Sequence, residues 1–363
     1  MSKNKILMMS GGDNVVSSVS FAFFLKAIFS SLPPPDETFE VDLSPEDVDK
    51  LYLCMMLSKM VYVDPNEREL PYQLGSIVIE SQVSKLYVIP YFIMNSEITD
   101  TIYVTCRGSY CFNDFLVDFM AKAVKYNGGY VHEGVYLTAK NLYDEIKPII
   151  ITLSKTNNNR KVIITGHSLG GGVAATVVSM FQNDFPTLDV SGIIFAPCAS
   201  FTKNLWLNST NRIKSYIVDG DFVPFLSFHN ASAIPENSLP FPIHEAMLKV
   251  IKKRMSIIPY TPPVENLYRN PFEIPPPAIE SILDNSIDFY LKPMPLYPPG
   301  DLFLITLVDN KNGTVQIRKI RDCEYFGHFV NNLNELRHMM GLYREWIEQF
   351  CKIYIEKPPP VLD

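Results

Sequence analysis

The stretch from Lys161 to Gly172, K-V-I-I-T-G-H-S-L-G-G-G, decides how this chain is read. Val162, Ile163, Ile164 and Thr165 form a β-branched run of the kind a buried central strand needs. Gly166-His167-Ser168-Leu169-Gly170 follows at once, and Val173 to Met180 reads as a helix. Strand, G-x-S-x-G and helix together describe a sharp turn that lifts a serine hydroxyl above a sheet. A Cβ at 166 or 170 would strike the neighbouring strand or helix, so glycine is required at both. The amide of Leu169 would stand at a helix N-terminus, where it can bind an oxyanion. A bare G-x-S-x-G turns up by chance in about one chain in ten of this length. The flanking strand and helix, with the extra Gly171 and Gly172, lift this one above chance. Ser168 is the candidate nucleophile.

A length of 363 residues suffices for one sizeable α/β domain with insertions. A hydrophobic content of 47% indicates a large core, and a net charge of −7 argues against an electrostatic nucleic-acid binder. The six cysteines, at 54, 106, 111, 198, 323 and 351, show no C-x-x-C and no metal-ligand spacing. They suit buried thiols in a reducing, cytoplasmic compartment, and neither a metal nor another cofactor is expected. Composition specifies no oligomeric state.

Residues 1–42 read as an N-terminal apolar helix and linker. Met1 to Met9 lacks the apolar length of a signal peptide. Val15 to Leu32 is interrupted by Lys26 and five serines, and a spanning helix wants about 20 predominantly apolar residues. A buried or membrane-surface helix is expected there, ended by Pro33-Pro34-Pro35.

Residues 43–355 read as one α/β domain. Ser44-Pro45-Glu46-Asp47 starts a helix, with Val48, Leu51, Tyr52, Met55 and Tyr62 as its apolar stripe. Strands are expected at 77–79, 87–94 and 101–106, the last two joined by a turn near 95–97. A helix follows over 134–153, then the strand before Ser168, its helix, and strands at 192–196 and 213–218. This alternation predicts a mainly parallel sheet flanked by helices. From about 225 to 300 the rhythm fails, with eleven prolines between Pro259 and Pro299. Strands at 302–308 and 314–320 then return as a hairpin, and a helical region is expected from about 331 to 355. Residues 356–363 form a proline-rich tail.

Ser168 needs a base with a pKa near 7 and a third group to orient it. At a turn of this type the chain order is serine, acid, histidine. Asp219 and Asp221 both lie just beyond the strand ending at Val218, and periodicity does not choose between them. Of the six histidines, only His328 and His338 lie beyond the later hairpin. Local pattern leans toward His328, close after a strand, over His338, placed in a helical run.

The chain resembles the class 3 lipases of the α/β-hydrolase fold. G-H-S-L-G-G at 166–171 resembles their nucleophile turn. C-R-G-S at 106–109, followed by F-N-D-F-L-V-D-F at 112–119, is similar to their oxyanion segment, and V-H-E-G-V at 131–135 to their V-H-x-G-F. D-F-V-P at 221–224 is similar to the segment carrying their acid, which selects Asp221. L-R-H-M-M-G-L-Y at 336–343 resembles a segment of the sn-1-specific diacylglycerol lipase branch, which selects His338, although Arg337 stands where that branch has an acid.

The resemblance implies a serine hydrolase of acylglycerol esters, directed at diacylglycerol or monoacylglycerol, with Ser168, Asp221 and His338 as its triad. It implies an oxyanion hole from Leu169 and Ser109, and the proline-rich insertion falls between acid and histidine. The implied partner is a lipid at a membrane or droplet interface, met by peripheral contact. Phospholipase A1-like hydrolysis, soluble-ester hydrolysis or acyl transfer, and a non-catalytic interaction role are the alternatives. Tyr110–Phe119 and the insertion are the candidate covers for an acyl chain. Arg107 is expected to pair with Asp114 or Asp118, and His132 to be a packing residue.

Overall fold

The computed structural model describes residues 38–68, 74–109, 123–156, 160–227, 229–230, 294–309, 314–328, 330 and 333–356. The strands are β1 (Thr38–Glu40), β2 (Ser76–Ser81), β3 (Tyr91–Ser96), β4 (Thr101–Cys106), β5 (Ala123–Tyr126), β6 (Gly129–His132), β7 (Lys161–His167), β8 (Val190–Phe195), β9 (Ile213–Val218), β10 (Asp301–Asp309) and β11 (Thr314–Ile320). Nine of them form one sheet in the order β1-β11-β10-β9-β8-β7-β4-β3-β2, while β5 and β6 pair as a separate hairpin. The five central strands, β4, β7, β8, β9 and β10, run parallel. Antiparallel pairs finish both margins. This is the α/β-hydrolase arrangement, with the strand before Ser168 flanked on both sides by parallel neighbours.

Helices cover both faces. They are α1 (Pro45–Met60), α2 (Glu133–Thr156), α3 (Leu169–Asp184), α4 (Lys203–Ser209) and α5 (Met340–Glu356). On one face α2 and α3 enclose a core with Ile102, Val104, Ile146, Val162, Ile164 and Val177. On the other, α1 and α5 enclose Leu51, Met55, Tyr103, Ile163, Phe195, Tyr216 and Ile347. Residues alternating along β7 serve both cores, as the two-residue side-chain period demands. Helix α3 has small or apolar buried residues all round, including Ala174, Ala175, Val177 and Val178, which fits a helix wedged beneath the turn.

Local signals place most of these elements. Ser44 caps α1 by accepting from the Asp47 amide at 3.2 Å. Four expectations need correction. Strand β3 starts at Tyr91 rather than 87, because Tyr87 takes a positive φ of 57° in the turn closed by the Lys85–Val88 bridge and Pro90 has no N–H to donate. The turn joining β3 to β4 occupies 97–100 rather than 95–97, since Ser96 still pairs with Thr101. Tyr52 is 38% exposed rather than packed, and Tyr62 lies past the end of α1. The expected helix at 331–355 is two elements: a one-turn helix at Glu335–His338, capped by Asn334, and then α5. Met339, with φ −69° and ψ 126°, separates them. The β5–β6 hairpin and α4 are additions to the sequence reading.

The apolar stretch 15–32, most of the 225–300 insertion, Tyr110–Phe119 and the 357–363 tail lie outside the described residues. Among the described residues no helix is long and apolar enough to cross a membrane.

Candidate active site

The junction of β7 and α3 is built by close backbone approach. A Cβ on Gly166 would lie 2.5 Å from the Gly170 carbonyl oxygen, and one on Gly170 would lie 2.5 Å from that of Cys106. Side chains cannot enter, so both positions are glycine. The compression falls on Ser168, which adopts φ 60° and ψ −127° as the residue that opens α3. A serine held at positive φ stores backbone strain, and such strain gathers at functional sites. Leu169 is the first residue of α3, so its N–H has no carbonyl one turn back to bind.

Ser168 Oγ lies 2.9 Å from His338 Nε2. His338 Nδ1 lies 3.1 and 3.0 Å from Oδ1 and Oδ2 of Asp221. Asp221 follows β9 and is fully buried. It also accepts from the Val223 amide at 3.0 Å and the Tyr343 hydroxyl at 2.7 Å. The turn carrying His338 is tied beside it, with Asn334 N–H donating to the Gly220 carbonyl at 2.8 Å. A carboxylate can only accept from Nδ1–H, which leaves Nε2 free to accept the serine proton. Three elements far apart in the chain thus meet in one hydrogen-bonded series of serine, histidine and aspartate.

The other candidates fall elsewhere. The Asp219 carboxylate is 3.9 Å from the Arg337 guanidinium, which also donates to the Asp219 carbonyl and stacks over Trp346. Arg337, the departure from the resembled motif, therefore engages the acid that His338 does not use. His328 is exposed on a turn after β11. His132 is buried, its Nδ1 accepting from the Val135 amide at 3.4 Å. Arg107 is buried, and its expected partners Asp114 and Asp118 lie outside the described residues.

Ser109 ends the described part of its segment, next to Gly108. A Cβ on Gly108 would come within 3.2 Å of Ser168 Cβ, so this backbone passes directly beside the serine. Two residues join the site without having been singled out. His167 is buried and stacks on His338 at 4.6 Å between ring centroids. Tyr62 Oη lies 3.2 Å from His167 Nδ1. No local signal distinguishes Tyr62, since a tyrosine after an amphipathic helix reads as core.

Residues 103–231 match the family model described as lipase (class 3). That stretch, which contains Ser168 and Asp221, is similar to the class 3 lipases.

Mouse diacylglycerol lipase-beta is 24% identical over 155 residues, covering 40% of this chain and 23% of the relative. Phospholipase A1 PLIP2, chloroplastic, of Arabidopsis thaliana is 24% identical over 146 residues, covering 37% of this chain and 20% of the relative. The chain thus spans less than a quarter of either relative's length. The Rhizomucor miehei lipase propeptide complex superposes with a TM-score of 0.55 at 17% identity, covering 87% of both chains. Rhizomucor miehei triacylglyceride lipase gives 0.53 at 16% identity, covering 82% of this chain and 94% of that one. At such identities these structures bear on the fold alone, and this chain shares it. Among its described residues no group of three or more His, Cys, Asp or Glu side chains is placed to hold a metal ion.

Proposed function

We propose that this chain hydrolyses carboxylic ester bonds of acylglycerol lipids through an acyl-enzyme on Ser168. The observation that carries this reading is the unbroken hydrogen-bond series from Ser168 Oγ through His338 to buried Asp221, set at a strained turn. His338 takes the serine proton as Oγ attacks the ester carbonyl, and Asp221 holds the imidazole tautomer and stabilises the imidazolium. The oxyanion is met by the Leu169 amide and by Ser109, one such donor being worth about 3 kcal/mol. Collapse of the tetrahedral adduct expels the alcohol, which leaves with the proton from His338. Water then attacks the acyl group, passing its proton to His338, and Ser168 departs with that proton.

An apolar substrate fits the surroundings. Leu336, within the turn carrying His338, and Met339, just after it, are 66% and 61% exposed. Large exposed apolar side chains beside a reactive serine suit an acyl chain and peripheral contact with a membrane or droplet. The mouse relative's name favours diacylglycerol as substrate, and the Arabidopsis relative's name supports phospholipase A1-like hydrolysis as the second reading. A cytoplasmic, membrane-associated location is proposed with either.

Ser168→Ala is the test. Fluorophosphonate labelling should vanish and turnover on emulsified diacylglycerol should fall about a million-fold, with the fold unchanged. Labelling of the alanine variant at the wild-type rate would remove Ser168 from the reaction. Profiling diacylglycerol against phosphatidylcholine separates the two substrate readings.

A further inference from the structure

Behind the Ser168–His338–Asp221 series lies a second set of hydrogen bonds that the proposed chemistry does not use. The carbonyl of His338 can only accept, so His167 Nε2, 2.9 Å away, must carry a proton and donate to it. In a neutral ring His167 Nδ1 is then an acceptor, and Tyr62 Oη–H, at 3.2 Å, is its donor. Tyr62 Oη in turn accepts from the Gly108 amide at 3.0 Å. The direction of every bond is determined: Gly108 N–H to Tyr62, Tyr62 O–H to His167, His167 N–H to His338. Burial first, and the charge of neighbouring His338 second, hold the His167 pKa well below the ordinary value, which keeps the ring neutral as this order requires.

We propose that Tyr62 and His167 are positioning residues, a strut that fixes the backbone of His338 and the Gly108–Ser109 segment in one geometry about Ser168. The inference rests on the hydrolase reading above and deepens it. The strut joins two parts of the site that are not covalently continuous with the serine turn. At one end is the turn bearing the base, which Met339 separates from α5. At the other is the segment bearing Ser109, so close to Tyr62 that a Cβ on Gly108 would lie 2.5 Å from its hydroxyl. The middle is the residue before the nucleophile, and the foot is anchored. Tyr62 follows α1, whose Ser58 hydroxyl shares a 2.9 Å hydrogen bond with Thr165 on β7. A misplacement of about 1 Å at such a site costs on the order of a hundredfold in rate.

The test is a double-mutant cycle on kcat, normalised by fluorophosphonate titration so that only competent sites are counted. Tyr62→Phe should lower kcat about tenfold and His167→Leu about a hundredfold, with KM within twofold. Because both interrupt one strut, the double variant should match His167→Leu rather than show the product of the two losses. His167→Gln, which keeps an N–H for the His338 carbonyl, should recover most of the His167→Leu loss. Unchanged kcat per titrated site in Tyr62→Phe and His167→Leu, or multiplicative losses in the double variant, overturns the strut while leaving the hydrolase reading intact. Absence of Ser168-dependent labelling in the wild-type chain overturns both.

Discussion

The Tyr343 hydroxyl donates to Oδ2 of Asp221 at 2.7 Å, and neither residue is exposed to solvent. The same oxygen of Tyr343 accepts from the Val218 amide at 2.9 Å, so its single proton is directed at the carboxylate. Burial above all, with the nearby Asp221 charge, drives the Tyr343 pKa well above the ordinary phenolic value and keeps it a donor. A carboxylate withdrawn from water is costly unless its lone pairs are filled, and Tyr343, Val223 and His338 fill them. The tyrosine five residues after His338 therefore satisfies and orients the buried Asp221 side chain.

Tyr343→Phe should strip one donor from Asp221 and leave the Val218 amide without its acceptor. Hydrogen bonds to charged groups contribute about 1.5–3 kcal/mol. Thermal unfolding should show a stability loss of that order, and kcat should drop about tenfold. A Phe variant as stable and active as wild type would mean that Asp221 does not depend on this bond.

The two neighbouring acids should separate cleanly. Asp221→Asn replaces the acceptor that selects the His338 tautomer, and kcat should fall by about 10⁴-fold. Asp219→Asn only weakens a partly exposed contact with Arg337, and its kcat should stay within a few-fold. Steady-state rates on a soluble ester decide the matter; equal losses would refute the assignment.

For the histidines the expectation is equally unequal. His338→Ala should cost several orders of magnitude in kcat, as loss of a triad base does. His328→Ala should cost little, because His328 is exposed on a turn outside the hydrogen-bonded series. Rates measured in the reverse order would hand the role to His328.

A pH signature follows from His167, whose pKa is lowered well below 6.5, by burial first and by His338 second. Below 6.5 the unfolded chain binds a proton that the folded site refuses. Its contribution to stability is therefore complete above 6.5 and is lost as pH falls toward the depressed folded value, by up to about 1.4 kcal/mol per pH unit. His167→Gln should remove this component, flattening unfolding midpoints recorded between pH 7.5 and 5 relative to wild type. Identical pH slopes in the two proteins would contradict a neutral buried His167.

Local geometry was legible in the residues alone. The run Val162–Thr165, glycines at 166 and 170 and a small-residue helix place β7, the turn and α3, because backbone sterics and side-chain period act over a few residues. For the same reason the strands at 101–106, 213–218 and 314–320 were legible to the residue. Long-range partnership was not legible in the pattern alone. Asp219 and Asp221 carry the same local signal, and His328 the stronger one; the family motifs, not the periodicity, singled out Asp221 and His338. Only the parallel stacking of β7, β8, β9 and β10 brings the loop after Val218 and the turn at 335–338 over Ser168. Tyr62 lies furthest from any sequence signal. It is 105 residues from His167, and its hydroxyl acquires a partner only when α1 packs across β7.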